Sequence, residues 1–355
     1  MPHGSIRTII IYDDDDDDDD AAMRRNSRSL SRLQELAAAS HSPNGIIPKS
    51  RSVEELYALE GDSSPSSTLL EPKDSIRPKR TLSWKHGTTQ WEILGPAVDA
   101  SRGVVVLIHG LTLASYIWTD LAQSLASRGF SVLIYDLCGR GSSEYLSDAA
   151  CNAAFFVEQL AALVDAAEIG CKHGIPFTLC GASMGGGIAA AFSHAFPQSV
   201  SRVILIAPAG LMPSLPVPAR VIRGKFGRMF SCICACLLRA RMSSTFAGSR
   251  WEEEIHDDMS RPGFAAAYIS TLTHFPFTNL SRAFRSIGRD AGRPVLVIWG
   301  EVDSVVDFAQ SKQVRRLIAH AKFCPVPLRG HALATGEGDT SEVIALVQEF
   351  LLLNA

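Results

Sequence analysis

The stretch CGASMGGG, residues 180–187, decides how the rest of the chain is interpreted. It follows the apolar run PFTL directly, and Ser183 stands between Gly181, two positions before it, and Gly185, two positions after it. A G-x-S-x-G pattern at a sharp turn from a strand to a helix exposes the serine hydroxyl, and bulky residues at either glycine would clash in that turn. The same glycines also suit a helix that merely packs closely on a strand, so the flanking sequence has to decide.

Short apolar runs rich in β-branched residues alternate with helical patterns from residue 103 onward. Strands that are buried on both faces of a parallel sheet have this nearly continuous apolar composition. The predicted strands are GVVVLIHG (103–110), FSVLIYD (130–136), PFTLCG (176–181), SRVILIAP (201–208), RPVLVIWG (293–300) and AKFCPVPL (321–328). This alternation predicts an α/β fold with a mostly parallel, doubly wound sheet.

Changes in composition divide the chain into four segments. Residues 1–80 contain an octa-aspartate block and polar, Ser/Pro-rich stretches, which predicts a disordered, acidic leader. Residues 81–209 and 291–355 hold the predicted strands and would form the two parts of one sheet domain. Residues 210–290 show no strand pattern and are proline-rich, basic and helical. We expect this insertion to form a helical cap over the carboxyl edge of the sheet, where open α/β sheets bind their ligands.

Composition excludes several classes of function. The 355-residue chain has a formal net charge of −3, which argues against a nucleic-acid partner. Its apolar stretches are too short for a signal peptide or a spanning helix, so we expect a cytoplasmic protein. The eight cysteines form no zinc-type CxxC pair, and no dinucleotide fingerprint is present, so no metal and no cofactor are expected. RRNS at Arg24–Ser27 suits a basophilic kinase acting on the leader, or is part of a solvated tail.

A serine nucleophile needs a base, and the base needs an orienting acid. In this strand–turn–helix setting the acid and then the histidine follow the serine, each after a later strand. Asp303 follows RPVLVIWG, and His331 follows AKFCPVPL. Glu301 is the alternative acid, although it comes directly after its strand. His320 also lies beyond Asp303, but it ends a predicted helix and would lie at the opposite edge of the sheet.

An acyl-transfer site also needs two backbone N–H groups that point at the developing oxyanion. Met184 directly follows the serine and would supply one of them. Leu111, in the loop after the 103–110 strand, would supply the other. His109 in that loop is expected to shape the loop rather than act as a second base, and Asp136 is expected to shape the turn that follows its strand.

With these residues in this order, the chain resembles the α/β-hydrolase superfamily over roughly residues 88–354. The resemblance is carried by HG at 109–110, D-x-x-G-x-G-x-S at 136–143, G-x-S-M-G-G at 181–186, W-G-x-x-D at 299–303 and G-H at 330–331. It implies a serine hydrolase with Ser183, His331 and Asp303 as its triad. Serine at position 183 disfavours the dehalogenases and epoxide hydrolases, which use aspartate. Met184 differs from the tryptophan that is usual in proline iminopeptidase-like members.

The SMGG form is similar to that of monoacylglycerol lipases, small esterases, cofactor-free haloperoxidase-like enzymes and the C–C bond hydrolases of aromatic degradation. We therefore expect hydrolysis of a carboxylic ester, of an acyl or monoacylglycerol type, through an acyl-enzyme. Two alternatives stay open. One is C–C bond hydrolysis of a diketone by the same triad, which arginines clamping a substrate carboxylate would favour. The other is a non-catalytic descendant of the fold that binds a small ligand.

The predicted cap contains a basic and apolar passage, ARVIRGKFGRMFSCICACLLRARM, at residues 219–242. Such a helix can lie on an anionic membrane surface, and Cys232, Cys234 and Cys236 can carry reversible acyl groups. The alternative is a cap helix that packs its apolar side over the substrate pocket and leaves its arginines in water. Four further apolar residues are expected either to line the pocket or to pack in the core, namely Met212, Phe230, Phe264 and Phe275.

Overall fold

An eight-stranded sheet forms the centre of the computed structural model, which describes residues 79–146, 148–215 and 231–354, without the side chains of 231–238. The strands are β1 (Arg80–Trp84), β2 (Gly87–Leu94), β3 (Val104–Ile108), β4 (Ser131–Tyr135), β5 (Phe177–Ala182), β6 (Val200–Ile206), β7 (Val295–Gly300) and β8 (Lys322–Val326). They lie in the order β1-β2-β4-β3-β5-β6-β7-β8. β1 is antiparallel to β2 and β2 to β4, and every other pair is parallel. The predicted α/β class and mostly parallel sheet are therefore confirmed.

Nine helices are described around this sheet. They are α1 (Thr119–Ser127), α2 (Ala153–Ala166), α3 (Met184–Ala195), α4 (Ser231–Phe246), α5 (Glu252–Ser260), α6 (Phe264–His274), α7 (Ser281–Arg289), α8 (Ser311–Leu317) and α9 (Ser341–Leu353). α2 and α7 pack against α3, and α1 packs against α9. Four of them, α4 to α7, come between β6 and β7, in the part of the chain where no strand was predicted. The division of the chain at residues 80, 209 and 290 stays a prediction.

The central strands explain why the apolar runs were easy to identify. β3, β4, β5 and β7 are buried along their whole length, as expected for strands covered by helices on both faces. Each fully buried valine, leucine or isoleucine contributes roughly 1.5–3 kcal/mol to folding. All parallel strands end at the same edge, so the loops after β3, β5, β7 and β8 meet there.

The hairpin of β1 and β2 was not predicted, since the first strand was expected at residue 103. β2 alternates between half-buried positions and the buried Thr89 and Trp91, so only one of its faces enters the core. The turn between the two strands passes through Gly87, whose φ of +143° favours glycine. An edge hairpin of this kind lacks the continuous apolar run by which the central strands were identified.

Several predictions fall on residues outside the described part of the chain. They concern the leader, its RRNS site, most of the basic passage, and the side chains of Cys232, Cys234 and Cys236. Among the residues that are described, no helix combines the length and the apolar character that crossing a bilayer requires.

Candidate active site

Ser183 lies at the turn from β5 to α3 in a strained backbone conformation. Its φ is +54° and its ψ is −121°, a region that costs a non-glycine residue of order 1–3 kcal/mol. Hydrogen bonds hold the turn: the Ser183 N–H donates to the Ile206 carbonyl at 2.9 Å, and the Ser183 carbonyl accepts from the N–H groups of Gly186 and Ala209 at 2.9 Å each. The side chain is half-buried, so its hydroxyl lies at the carboxyl edge of the sheet rather than inside the core.

Two glycines allow this turn to be so tight. A Cβ on Gly181 would overlap the backbone of Gly185, and a Cβ on Gly185 would overlap the carbonyls of Ile108 and His109 at the end of β3. α3 therefore approaches β3 more closely than any side chain at position 185 would permit.

His331 connects Ser183 to Asp303. Its Nε2 lies 3.1 Å from Ser183 Oγ, and its Nδ1 lies 2.7 Å from Asp303 Oδ2. The side chain of Asp303 is fully buried, and its Oδ1 accepts the backbone N–H groups of Val305 at 2.9 Å and Val306 at 3.0 Å. With Asp303 as the acceptor, the His331 proton is on Nδ1, which leaves Nε2 free to accept from the serine hydroxyl. The structure thus brings the three predicted residues together.

The alternative acid, Glu301, and the other late histidine, His320, do not join this hydrogen-bonded series. Glu301 is exposed, and it is Asp303 that hydrogen bonds to His331. His320 Nε2 lies 3.1 Å from the Arg293 carbonyl, just before β7 begins at Val295. Because Asp303 follows the other end of β7, His320 lies at the opposite edge of the sheet, as predicted.

The loop after β3 passes directly against Ser183. A Cβ on Gly110 would lie 3.4 Å from Ser183 Cβ and 3.9 Å from its Oγ, so the backbone of this loop is next to the serine side chain. Met184 is the first residue of α3, where N–H groups have no partner within the helix and carry its partial positive charge. Among the described residues, the backbone hydrogen bonds of loops, turns and helix caps include none that Leu111 or Met184 donates.

His109 holds this loop and is not a second base. Its Nε2 accepts the Leu137 N–H at 2.8 Å, so Nδ1 carries the proton and donates to the Gly110 carbonyl at 2.9 Å. Complete burial lowers the pKa of His109 to about 4, which keeps the ring neutral at physiological pH. The predicted loop-shaping role is confirmed by these contacts.

Asp136 is likewise structural, as predicted. Its Oδ1 accepts the Ser115 N–H and its Oδ2 accepts the Ser142 N–H, each at 2.9 Å. The carboxylate therefore ties the turn after β4 to the segment that precedes α1.

Arg140 was missed by the sequence analysis, which treated it as an unmarked position of the D-x-x-G-x-G-x-S turn. Its side chain is fully buried, and burial lowers its pKa below the ordinary value for arginine. The guanidinium donates to the Leu111 carbonyl from Nε at 3.0 Å, to the Cys138 carbonyl from Nη1 at 3.2 Å and to Thr271 Oγ1 from Nη2 at 3.0 Å. The only feature of the sequence that could have indicated its importance is that Arg140 is a charged residue within a turn of mostly small and apolar residues.

The four aromatic and methionine positions proposed for the pocket are largely accounted for by packing. Phe264 and Phe275 are buried in the core, and the Phe275 ring lies 4.9 Å from that of Phe277. Met212 is half-buried against the core, and Phe230 is outside the described residues. Within the described part of the chain, no group of three His, Cys, Asp or Glu side chains has an arrangement that would hold a metal ion.

Comparisons with known proteins agree with this architecture. The chain is 27% identical to the monoacylglycerol lipase of Mycolicibacterium smegmatis, over 66% of this chain and 83% of that protein. It is 25% identical to the 2-hydroxy-6-oxononadienedioate/2-hydroxy-6-oxononatrienedioate hydrolase of Cupriavidus pinatubonensis, over 64% of this chain and 80% of that protein. Among solved structures, an α/β hydrolase fold protein from Burkholderia ambifaria has a TM-score of 0.63 at 21% identity, and the match covers 76% of this chain and 97% of that one.

The sequence model of one family covers most of the sheet. The model for serine aminopeptidase, S33, matches residues 99–326, from before β3 to the end of β8, and ends before His331. The chain therefore belongs to the serine aminopeptidase S33 family of hydrolases and has the α/β-hydrolase fold.

Proposed function

We propose that this protein is a serine hydrolase that cleaves carboxylic esters of apolar acyl groups, of the monoacylglycerol type, through an acyl-enzyme. The observation that carries the proposal is the hydrogen-bonded series from Ser183 Oγ through His331 to Asp303 at the carboxyl edge of the sheet. A serine hydroxyl bonded to a neutral imidazole that a carboxylate orients is the arrangement that activates serine as a nucleophile.

In the first half of the reaction, Ser183 Oγ attacks the ester carbonyl carbon and its proton passes to His331 Nε2. The carbonyl π electrons move to oxygen, which gives a tetrahedral oxyanion. When the oxyanion collapses, the bond to the alcohol breaks and His331 returns the proton to the leaving alkoxide. In the second half, water attacks the acyl-enzyme with His331 as base, the carboxylic acid leaves, and Ser183 regains its proton. Asp303 stays hydrogen bonded to Nδ1 and stabilises the imidazolium.

The oxyanion would be held by the N–H groups of Leu111 and Met184. The Leu111 loop lies against Ser183, and Met184 begins the helix that the serine precedes. Removing one oxyanion-hole donor that a side chain supplies raises the barrier by roughly 2.7–4 kcal/mol, and we expect a backbone donor to contribute a similar amount. The strained turn at Ser183 favours this role, since strained backbone is concentrated at functional sites.

Apolar side chains around the catalytic loops favour an acyl substrate. Val302 and Val305, on either side of Asp303, are each 58% exposed, and Leu328, shortly before His331, is 87% exposed. Leu328 also has a φ of +58°, an uncommon conformation for leucine. Exposed apolar residues in the loops that carry the proposed acid and base suit a substrate whose acyl chain covers them. The similarity to a monoacylglycerol lipase points to the same substrate class.

The relative from Cupriavidus pinatubonensis favours a second candidate, C–C bond hydrolysis of a diketone that carries carboxylates. An arginine that clamps a substrate carboxylate would support it. Arg140 contacts the Leu111 loop, but it is fully buried and donates to three oxygens of the protein, so it offers no such clamp. Among the described contacts, the ester reaction is therefore better supported.

The decisive experiment labels the purified protein with a fluorophosphonate probe and then measures turnover. We expect labelling of the wild type, none of Ser183→Ala, and full labelling of Ser127→Ala, which changes an exposed serine on α1. The substrates are p-nitrophenyl esters from acetate to palmitate, a monoacylglycerol, an amino-acid p-nitroanilide and a vinylogous diketone.

The substrate profile separates the candidates. Highest kcat/KM on a medium or long acyl ester supports the proposal, and preference for the diketone would replace it with C–C hydrolysis. Preference for the anilide would indicate an aminopeptidase. A folded wild type that neither reacts with the probe nor turns over any substrate would favour the non-catalytic ligand-binding alternative. The membrane contact of the basic passage, the acylation of its cysteines and the kinase site in the leader stay predictions.

A further inference from the structure

Arg140 is a buried cation without a carboxylate partner among the described residues. Its side chain is fully buried, and the oxygens that accept from it belong to two carbonyls and one hydroxyl. Burying an isolated charge is unfavourable unless the contacts it makes compensate, so an arginine retained here is expected to serve a purpose beyond filling space.

The three hydrogen bonds join three separate segments of the chain. Leu111 belongs to the loop after β3, Cys138 to the turn after β4, and Thr271 to α6 in the helical insertion. Hydrogen bonds from a charged donor are stronger than neutral ones, and the planar guanidinium fixes their relative directions. Arg140 therefore sets where these three segments lie relative to one another.

The contact with Leu111 acts on the proposed oxyanion hole. His109 Nδ1 holds the Gly110 carbonyl, which belongs to the same peptide unit as the Leu111 N–H, and Arg140 Nε holds the carbonyl of the next unit. In a planar trans peptide the N–H points opposite to the C=O of the same unit, so the His109 contact sets the direction of the Leu111 N–H, and the Arg140 contact restrains the peptide unit on the other side of the Leu111 Cα. Losing the Arg140 contact would free one side of this residue.

α6 contacts the same loop in a second way. The Arg140 guanidinium carbon lies 5.5 Å from the centre of the Tyr268 ring, and Tyr268 OH lies 3.4 Å from Thr112 Oγ1. A Cβ on Gly139 would overlap Ala267 of α6, so the turn and the helix are in close contact. The position of α6 is therefore coupled to the loop that carries Leu111.

We propose that Arg140 is a positioning residue for the hydrolytic reaction: it keeps the Leu111 N–H directed at the oxyanion, and through Thr271 it makes that alignment depend on α6 being in place. The inference rests on the proposed function, since it concerns the transition state of that reaction.

The test compares Arg140→Lys, which keeps the charge but loses the planar fork, with Thr271→Val, which removes the acceptor on α6 together with the hydroxyl's own bond to the Ala267 carbonyl. Arg293→Lys is the matched control, because Arg293 is also buried and donates to a carbonyl, that of Pro197 at 2.8 Å, before β7 begins. The measurements are kcat and KM on the best p-nitrophenyl ester, and Ki for a trifluoromethyl ketone of the same acyl chain. Ser183 adds to the carbonyl carbon of such a ketone, and the resulting oxyanion lies in the proposed oxyanion hole.

For Arg140→Lys we expect kcat to fall about 10- to 100-fold, with KM changed less than about threefold. Ki for the ketone should rise by the same factor by which kcat/KM falls. Thr271→Val should show the same pattern at about 3- to 10-fold, as expected for a misaligned rather than a missing donor. Arg293→Lys should lower the midpoint of thermal unfolding without changing kcat or Ki.

The inference is overturned if folded Arg140→Lys keeps kcat and Ki within about twofold of the wild type. It is also overturned if Arg140→Lys fails to fold and Thr271→Val, which leaves the guanidinium in place, shows no change in kcat or Ki. Either result would leave an active wild type and Ser183-dependent labelling, so it is distinct from failure of the proposed function, in which the wild type itself neither labels nor turns over ester.

Discussion

Asp258 on α5 provides a quantitative test of the structure that does not depend on catalysis. Its carboxyl is only 4% exposed and accepts a hydrogen bond from Tyr116 OH at 3.3 Å. Burial is the main cause that raises its pKa from 3.8 to about 7; the nearby Asp136 carboxylate contributes to this shift, while Arg261, 3.9 Å away, opposes it. The folded state therefore favours the protonated form of the Asp258 carboxyl.

The raised pKa predicts how stability depends on pH. Between pH 3.8 and about 7 the folded protein keeps the Asp258 proton and the unfolded chain has lost it. The folded state then binds more protons than the unfolded state, so this carboxyl makes the free energy of unfolding fall as pH rises through that window and level off above it. One pKa unit corresponds to about 1.4 kcal/mol, so the full effect is on the order of 4 kcal/mol, and partial solvation of the site would reduce it to about 2–4 kcal/mol.

Asp258→Asn should remove this loss, because asparagine is neutral at every pH and still accepts from Tyr116 OH. We expect the variant and the wild type to have similar free energies of unfolding near pH 4, and the variant to be more stable by about 2–4 kcal/mol at pH 8. Urea unfolding at intervals from pH 4 to 8.5 measures the difference. Asp99→Asn, which changes an exposed carboxyl, is the control.

A stability difference between Asp258→Asn and the wild type that does not change with pH would refute the reasoning. So would a variant whose free energy of unfolding, relative to that of the wild type, falls as pH rises. Either result would mean that the carboxyl is charged in the folded protein, and hence that α5 is not packed on the 115–118 segment as the structure has it.

Three further predictions concern the site and the turn that builds it. Asp303→Asn should lower kcat by about 10⁴-fold with little loss of stability, because asparagine favours the wrong His331 tautomer. Glu301→Gln should not change kcat, and equal effects of the two substitutions in a steady-state ester assay would contradict the assignment of the acid. Gly185→Ala should lower the free energy of unfolding, measured with urea, by about 1–3 kcal/mol or more, since the added Cβ overlaps backbone atoms. Gly292→Ala is the control, because a Cβ there faces nearly open space. Equal stabilities of the two variants would argue against the close approach of α3. Leu328→Ser should reduce kcat/KM for long acyl esters by about 3- to 10-fold and leave acetate unchanged, and a uniform loss would exclude an acyl contact.

The sequence was most informative where chemistry and topology constrain the same residue. β3 to β7 were predicted because strands buried on both faces have nearly continuous apolar runs. β8 was predicted from the same kind of run, although it is an edge strand in which only Val326 is buried. Asp303 was preferred to Glu301 because Glu301 directly follows its strand. His331 was preferred to His320 because parallel strands place all their following loops at one edge. His320, which bonds to the carbonyl of Arg293 before β7, shows how strictly that argument applies.

What escaped prediction depends on contacts between distant parts of the chain. The β1–β2 hairpin buries one face only, so its apolar residues alternate with polar ones and give a weak pattern. The contacts of Arg140 with Leu111 and Thr271 join positions 29 and 131 residues away, and nothing local to the GRG tripeptide specifies either partner. Side-chain networks of this kind follow from the packed fold, whereas strands and catalytic motifs are encoded locally.

The two explanations of CGASMGGG turn out to describe one geometrical requirement. Close packing is real, since α3 lies against the end of β3 at a distance that only glycine at position 185 permits. The loop at Gly110 lies against Ser183 at the same end of β3, and the helix begins at Met184, the residue directly after the serine. If the helix moved away to accommodate a side chain, the serine would lose the two neighbours that form the proposed oxyanion hole. A packing glycine and the proposed nucleophile are therefore compatible interpretations of this turn, because the proposed site needs the close packing that the glycine permits.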